Sequence, residues 1–333
     1  MYMKTRIFTV CIFFLLCSLL SLAQSKKPKA IIFDSDMGPD YDDVGAIAML
    51  HAFADSGHIK ILATMASTKY KGVAGVFSVL NTYFNRPGLP VGVPKQNGLE
   101  LRDFQHWTDT LLAKYPHAIK NNEEAQDATE LYRKLLSVQP DNSVTIITVG
   151  FFTNLANLLQ SGPDQYSKLN GSDLVKKKVK ELISMAGRFP SGKEFNVERD
   201  APASQKVFSQ WPTTVLLSGF EIGRKIKVGL PLINNEKIKD SPVKDVFRIS
   251  IPQDKQDSAG RMSWDETAVL IAAKGYQQYY TLTHGKMIVA DDGSNTWSVD
   301  GKQHAYLVEK ISFEEVKKEI EKLIQHQPAK RPR

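Results

Sequence analysis

Five carboxylates crowd into ten residues, Asp34-Ser35-Asp36-Met37-Gly38-Pro39-Asp40-Tyr41-Asp42-Asp43. Acids at this density repel one another unless a cation or protons neutralise them. The run follows Ala30–Phe33, an apolar tetrapeptide with the character of a buried strand. The acids therefore fall at the carboxyl end of a strand, where open α/β sheets bind ligands. Gly38 and Pro39 let the backbone turn so that several side chains converge. The natural partner of such a set is a hard divalent cation that takes about 6–8 oxygens. Plain helix-dipole acids would account for Asp42 and Asp43 but not for the other three. A calcium loop of the EF-hand kind is excluded, because the twelfth position from Asp34 is Gly45 and a strand, not a helix, precedes the loop.

The elements that must hold these acids alternate between short apolar runs and helical periodicity. Strands are expected at 30–33, 59–65, 90–93, 144–149, 182–186 and 214–217. Helices are expected at 44–54, 73–83, 154–159, from 267 to 273 and at 316–324. The alternation predicts an α/β fold with a mostly parallel central sheet and helices on both faces, a Rossmann-like core. Residues 101–127 and 222–260 are more polar and broken by Pro, Gly and Asn, as expected of insertions or covers over a site. With no internal repeat and no linker, residues 24–333 are expected to form one domain.

Composition sets the outer limits. The 333 residues are 42% hydrophobic and 24% charged, which excludes a disordered or collagen-like chain. A net charge of +7 without basic clusters among aromatics argues against a nucleic-acid partner. Lys4 and Arg6, the apolar run 7–22 and Ser21-Leu22-Ala23 together read as an export signal over residues 1–23. Both cysteines, Cys11 and Cys17, fall inside it. The expected mature protein is thus periplasmic or secreted, free of disulfides and not membrane-bound once the signal is removed.

Two resemblances compete for the acid cluster. Ile31-Ile32-Phe33-Asp34-Ser35-Asp36 resembles the opening motif of haloacid-dehalogenase-type phosphatases, with Asp34 as nucleophile and Asp36 as acid/base. Ser218 and the Asp291-Asp292 pair stand in for later motifs, but this reading leaves Asp40, Asp42 and Asp43 without a role. The cluster resembles more fully the D-x-D-x-G-x-D-x-D-D opening of the inosine/uridine-preferring nucleoside hydrolase family. Gly150-Phe151-Phe152-Thr153-Asn154 resembles that family's G-P-L-T-N turn. Met185-Ala186-Gly187 with Glu194-Phe195-Asn196 and Asp200 resembles its M-G-G and E-F-N segment. Trp264-Asp265-Glu266-Thr267-Ala268-Val269 resembles its H-D-P-x-A-V helix start. The four stretches occur in the family's order and span about residues 29–273.

The resemblance implies Ca²⁺-dependent hydrolysis of the N-glycosidic bond of ribonucleosides, on a nucleoside hydrolase-like fold. It implies that Asp36, Asp43, Asp265 and the backbone carbonyl of Val149 hold Ca²⁺. Asp36 would also be the catalytic base toward water. Asp42, Glu194, Asn196 and Trp264 would bind the nucleoside, Asp42 and Asn196 at the ribose hydroxyls and Glu194 on the 5′ side. The resemblance also allows a homo-oligomer. Two departures stand out. The spacing leaves Asp40 and Asp42 competing for one ribose contact, and Trp264 replaces the histidine that many members use to protonate the leaving base. An indole can stack on a base but donates no useful proton. His106, His284 and His304 are the remaining side chains of the right type. Asn154 is expected to cap a helix, and Asp34 and Asp200 to be buried structural acceptors. Besides the phosphatase, a non-catalytic ribosyl-ligand binding protein is the remaining alternative.

Overall fold

The structure, a computed structural model, describes residues 27–329. The expected export signal and both cysteines lie outside the described residues. Among the described residues no helix is long and apolar enough to cross a membrane.

Thirteen strands are present among these residues. The first six are β1 (Lys29–Ser35), β2 (Ile59–Ala66), β3 (Val91–Val93), β4 (Gln126–Asp127), β5 (Val144–Thr148) and β6 (Val179–Met185). Then follow β7 (Ser191–Lys193), β8 (Thr214–Ser218), β9 (Lys227–Val228), β10 (Arg261–Met262), β11 (Tyr280–Val289), β12 (Ser294–Ser298) and β13 (His304–Glu309). Eleven of them form one sheet in the order β4-β3-β2-β1-β5-β6-β8-β13-β11-β12-β7, while β9 and β10 pair separately. All pairings from β4 across to β13 are parallel. The expected strand over 90–93 begins at Val91. Pro90 has no N–H to offer the ladder, although its carbonyl accepts from Thr64 N–H at 3.1 Å.

The far edge differs from the sequence reading. β13, β11, β12 and β7 pair antiparallel, and the sequence analysis placed no strand in any of them. Their runs mix Thr, His, Lys and Ser with apolar residues, and several of these polar positions in β11 are exposed or half-buried.

β1 is buried on both faces, and its side chains divide accordingly. Ile31 and Phe33 join one apolar cluster with the Asp42–Asp55 helix, while Ile32 joins a second with Ile146 and Leu182. The chain runs outward from β1 through β2, β3 and β4, then returns to the other side of β1 as β5. The strand order thus reverses between β1 and β5. A crevice at the carboxyl ends of those two strands is where an open α/β sheet takes a ligand. At the carboxyl end of β1 lies Asp36, and at that of β5 lies Val149.

Candidate active site

The floor of the crevice is built from chain turns at the switch point. After β1 the backbone doubles back through Met37, which sits in the left-handed region at φ 24° with its N–H on Ser35 Oγ at 3.1 Å. Ser35 donates its hydroxyl to Asp43, whose carboxylate lies in the first turn of the Asp42–Asp55 helix. From the β5 side comes Gly150. A Cβ there would fall 2.3 Å from the Asp36 amide nitrogen, so only glycine lets the two turns approach this closely. Asp265 enters from the first turn of the Trp264–Lys274 helix.

What these acids lack is donors. Both oxygens of Asp36, Oδ2 of Asp43 and Oδ2 of Asp265 are buried without a hydrogen-bond partner. Burial and mutual repulsion push all three carboxyls well above the ordinary carboxylate range. The Val149 carbonyl lies close by and accepts from Asn196 Nδ2 at 3.2 Å, while Asn196 Oδ1 has no donor of its own. No three His, Cys, Asp or Glu side chains among the described residues form a ready-made metal cage. The chemistry of the open donors still fits a hard cation, since buried carboxylate oxygens without N–H or O–H partners are what such an ion satisfies.

Asp42 is a correction to the sequence reading. Instead of turning to a ribose, its Oδ1 accepts from Arg261 Nε at 2.9 Å and Nη2 at 2.7 Å. Its Oδ2 accepts the backbone N–H groups of Trp264 at 3.1 Å and Asp265 at 3.2 Å. Asp42 therefore ties down the start of the helix that carries Asp265. Asp40, paired to the same guanidinium, lines the cavity instead. Arg261 also reaches toward Asp257 and lies over the Tyr41 and Trp264 rings. Arg261 carries no local signal in the sequence, since it stands 219 residues from Asp42. The only signal for it was the need of five acids for a cation.

Above the floor opens a cavity of about 490 Å³, of a size usual for small-molecule sites. Asp40, Glu194, Asn196, Phe220, Trp264 and Asp265 line it, with Leu101, Arg102 and Phe104 from the expected cover 101–127 at its mouth. Glu194 caps the short Phe195–Arg199 helix, accepting from Asn196 N–H at 2.9 Å, Val197 N–H at 3.3 Å and Gly187 N–H at 3.2 Å. Burial outweighs these bonds and raises its carboxyl to about 7. The Trp264 indole N–H is already committed to the Phe220 carbonyl at 2.8 Å, and the two rings stack at 5.3 Å. None of His106, His284 and His304 lines the cavity. His304 is buried with Nδ1 on Met287 N–H, and burial lowers it to about 4.

Asn154 is a second correction. It does not cap its helix, Thr153–Gln160; its Nδ2 donates to Asp34 at 3.1 Å and to the Ala66 carbonyl at 2.7 Å. Asp34 also accepts from Tyr132 at 2.8 Å, is fully buried, and is raised to about 7 by desolvation. This is a structural acceptor beneath the site, and nothing exposes it as a phosphatase nucleophile. Ser218 is paired with Thr267, and Asp291 and Asp292 lie in the exposed turn after β11. Asp200 accepts from Phe152 N–H and Thr153 Oγ1, holding the start of the Thr153–Gln160 helix. Glu266, another residue the sequence analysis passed over, is buried behind Asp265 with neither oxygen paired. A Cβ on Gly45 would lie 2.1 Å from its Oε1.

Comparison with known proteins gives this arrangement its class, the N-ribohydrolases. The chain belongs to the inosine-uridine preferring nucleoside hydrolase family, whose model matches residues 31–318. It is 28% identical over 228 residues to the pyrimidine-specific ribonucleoside hydrolase RihA of Salmonella enteritidis, covering 64% of this chain and 67% of the relative. Among solved structures, the plant nucleoside hydrolase PpNRh1 aligns with a TM-score of 0.69 at 19% identity, over 90% of this chain and 99% of that one. A purine-preferring ribonucleoside hydrolase from Gardnerella vaginalis aligns with a TM-score of 0.70 at 15% identity, over 89% and 98% of the two chains. These likenesses share the fold described above, a single α/β domain on a large, mostly parallel sheet.

Proposed function

We propose that the protein is an exported, Ca²⁺-dependent enzyme that hydrolyses the N-glycosidic bond of ribonucleosides to ribose and free base, acting in the periplasm or outside the cell. The observation that carries this reading is the set of four donorless carboxylate oxygens on Asp36, Asp43 and Asp265 at the switch point. Those three residues and the Val149 carbonyl would hold the ion, which when bound supplies positive charge that orients hydroxyl oxygens and makes water more acidic. Asp36, with both oxygens free, takes the proton of the attacking water as general base. The water oxygen bonds to the anomeric carbon as the C–N bond breaks through an oxocarbenium-like state, and its electron pair leaves with the base. Asn196 and Asp40 face the ribose hydroxyls and Glu194 the 5′ side, fixing the sugar before the bond breaks. Because the Trp264 indole N–H is held by Phe220, the departing base takes its proton from solvent, while the Trp264–Phe220 stack walls the cavity.

The test is reducing-sugar release from a panel of purine and pyrimidine ribonucleosides, with calcium and with a chelator. Calcium-dependent release is expected, and the panel ranks the bases. Release that is indifferent to a chelator would overturn the metal assignment. No release from any nucleoside, with calcium demonstrably bound, would turn the reading to a ribosyl-ligand binding protein.

A further inference from the structure

The cavity has a cationic edge for which an uncharged nucleoside gives no reason. Arg199 lines the cavity with its guanidinium 5.3 Å over the Phe195 ring, itself a lining residue. Phe220, also a lining residue, carries two more, Arg188 at 5.3 Å and Arg224 at 5.7 Å from its ring centre. Phe220 is shared between the main cavity and an adjoining depression of about 350 Å³, lined otherwise by Arg188, Glu221, Arg224 and Lys225. All three arginines are solvent-exposed, and among the described residues none lies within ion-pair distance of a carboxylate. The other cavity arginines differ: Arg261 is locked by Asp40 and Asp42, and Arg102 by Asp103 and Asp109. In the depression, Lys225 pairs with Glu309, while Glu221 accepts from Phe189 N–H at 3.2 Å and feels the charges of Arg188 and Lys225, so the anion offsets part of the positive edge without closing on it.

Stacking on a ring fixes a guanidinium without consuming its N–H groups, so less side-chain freedom is lost when an anion arrives. A planar fork of donors fits phosphate oxygens in particular. The position of the cations follows from the backbone. Glu194, placed at the 5′ side of the ribose, accepts from the N–H of Gly187, the neighbour of Arg188. Phe195 and Arg199 belong to the helix that Glu194 caps. Arg199 thus stands on the Glu194 side of the cavity, and Arg188 and Arg224 line the depression that adjoins it across Phe220.

We infer that the site takes ribosyl substrates carrying a phosphate group on the 5′ side, with Arg188, Arg199 and Arg224 as its anion-binding edge. The inference rests on the N-ribohydrolase reading for the placement of the sugar. It is tested on the calcium-loaded protein by measuring kcat/KM for uridine against uridine 5′-monophosphate and for inosine against inosine 5′-monophosphate. Preference for the nucleotide by at least tenfold is expected, falling at least tenfold in R188Q/R224Q and in R199Q, chiefly through KM. The preference should also shrink as salt rises, since exposed charges are screened. A wild-type preference for the nucleoside, or a ratio unchanged by the substitutions, overturns the inference. If neither compound is cleaved, the hydrolase reading fails by itself. Calorimetric titration with the same four compounds then decides phosphate recognition: tenfold tighter nucleotide binding that the variants lose supports it, and equal or weaker binding refutes it.

Discussion

The floor and the wall of the cavity hold their charges by opposite means. On the floor, Asp36, Asp43 and Asp265 are buried without donors and repel one another. On the wall and in the depression beside it, Arg199, Arg188 and Arg224 are exposed and steadied by aromatic rings. Arg261 is a third case, buried and paired through Nε and Nη2 with Asp40 and Asp42. The floor sacrifices folding stability for a site that an ion must complete. The wall costs the fold little, because water solvates its cations until a ligand arrives. Arg261 belongs to neither kind: it neutralises the acids that an ion does not need, and through Asp42 it fixes the helix carrying Asp265.

The sharpest way to break this contrast is Asp36→Asn. Removing the general base should lower kcat by a factor of about 10²–10⁴. The same variant should melt above the wild type in the presence of a chelator, because a buried, repelled charge is gone. Ribose release and thermal melting together check it, and a variant that melts lower while keeping its activity would show the floor to be structural. Next in size is Arg261→Gln. Leaving Asp42 buried and unpaired should cost about 3–5 kcal/mol by chemical denaturation. A loss below about 1 kcal/mol would place Arg261 with the wall rather than with the fold.

The effect that is smallest per pH unit, though it accumulates, concerns Asp34, a buried acid that does have donors. Its folded carboxyl titrates at about 7, above the ordinary range near 4. Between those values the folded state binds a proton that the unfolded state has released. Stability therefore falls as pH rises from about 4 to about 7, by at most about 1.4 kcal/mol per pH unit, and levels off above. Asp34→Asn should flatten that part of the melting-temperature profile. A profile of unchanged slope would mean that Tyr132 and Asn154 keep Asp34 ionised throughout.

Much of the scaffold is legible in the sequence, and for a definite reason. The strands from β1 to β8 that the sequence analysis found are buried on both faces, so each reads as an apolar run. The strands beyond β8 in the sheet are less legible: β7 and β12 are polar and short, and the apolar stretches 287–289 of β11 and 305–308 of β13 are interrupted or flanked by polar residues. The same division holds within the site. The acid cluster, the glycine of the β5 turn and the Glu194–Asn196 segment are recognisable because each is a local pattern. Asn154 was read as a cap because caps are local, yet its partner is Asp34, 120 residues away.

By itself the sequence determined that a strand ends in a surplus of acids, that helices follow such strands, and that four motifs occur in one family's order. Those features depend on neighbours within a turn or a strand, where periodicity and spacing are the physics. The tertiary structure alone decided which acid serves which purpose. Asp40 and Asp42 differ by two residues, but only the arrival of Arg261 from β10 fixes Asp42 behind the helix start and leaves Asp40 on the cavity. Charge complementarity acts across whatever distance the fold closes, and the linear order of residues does not encode that distance.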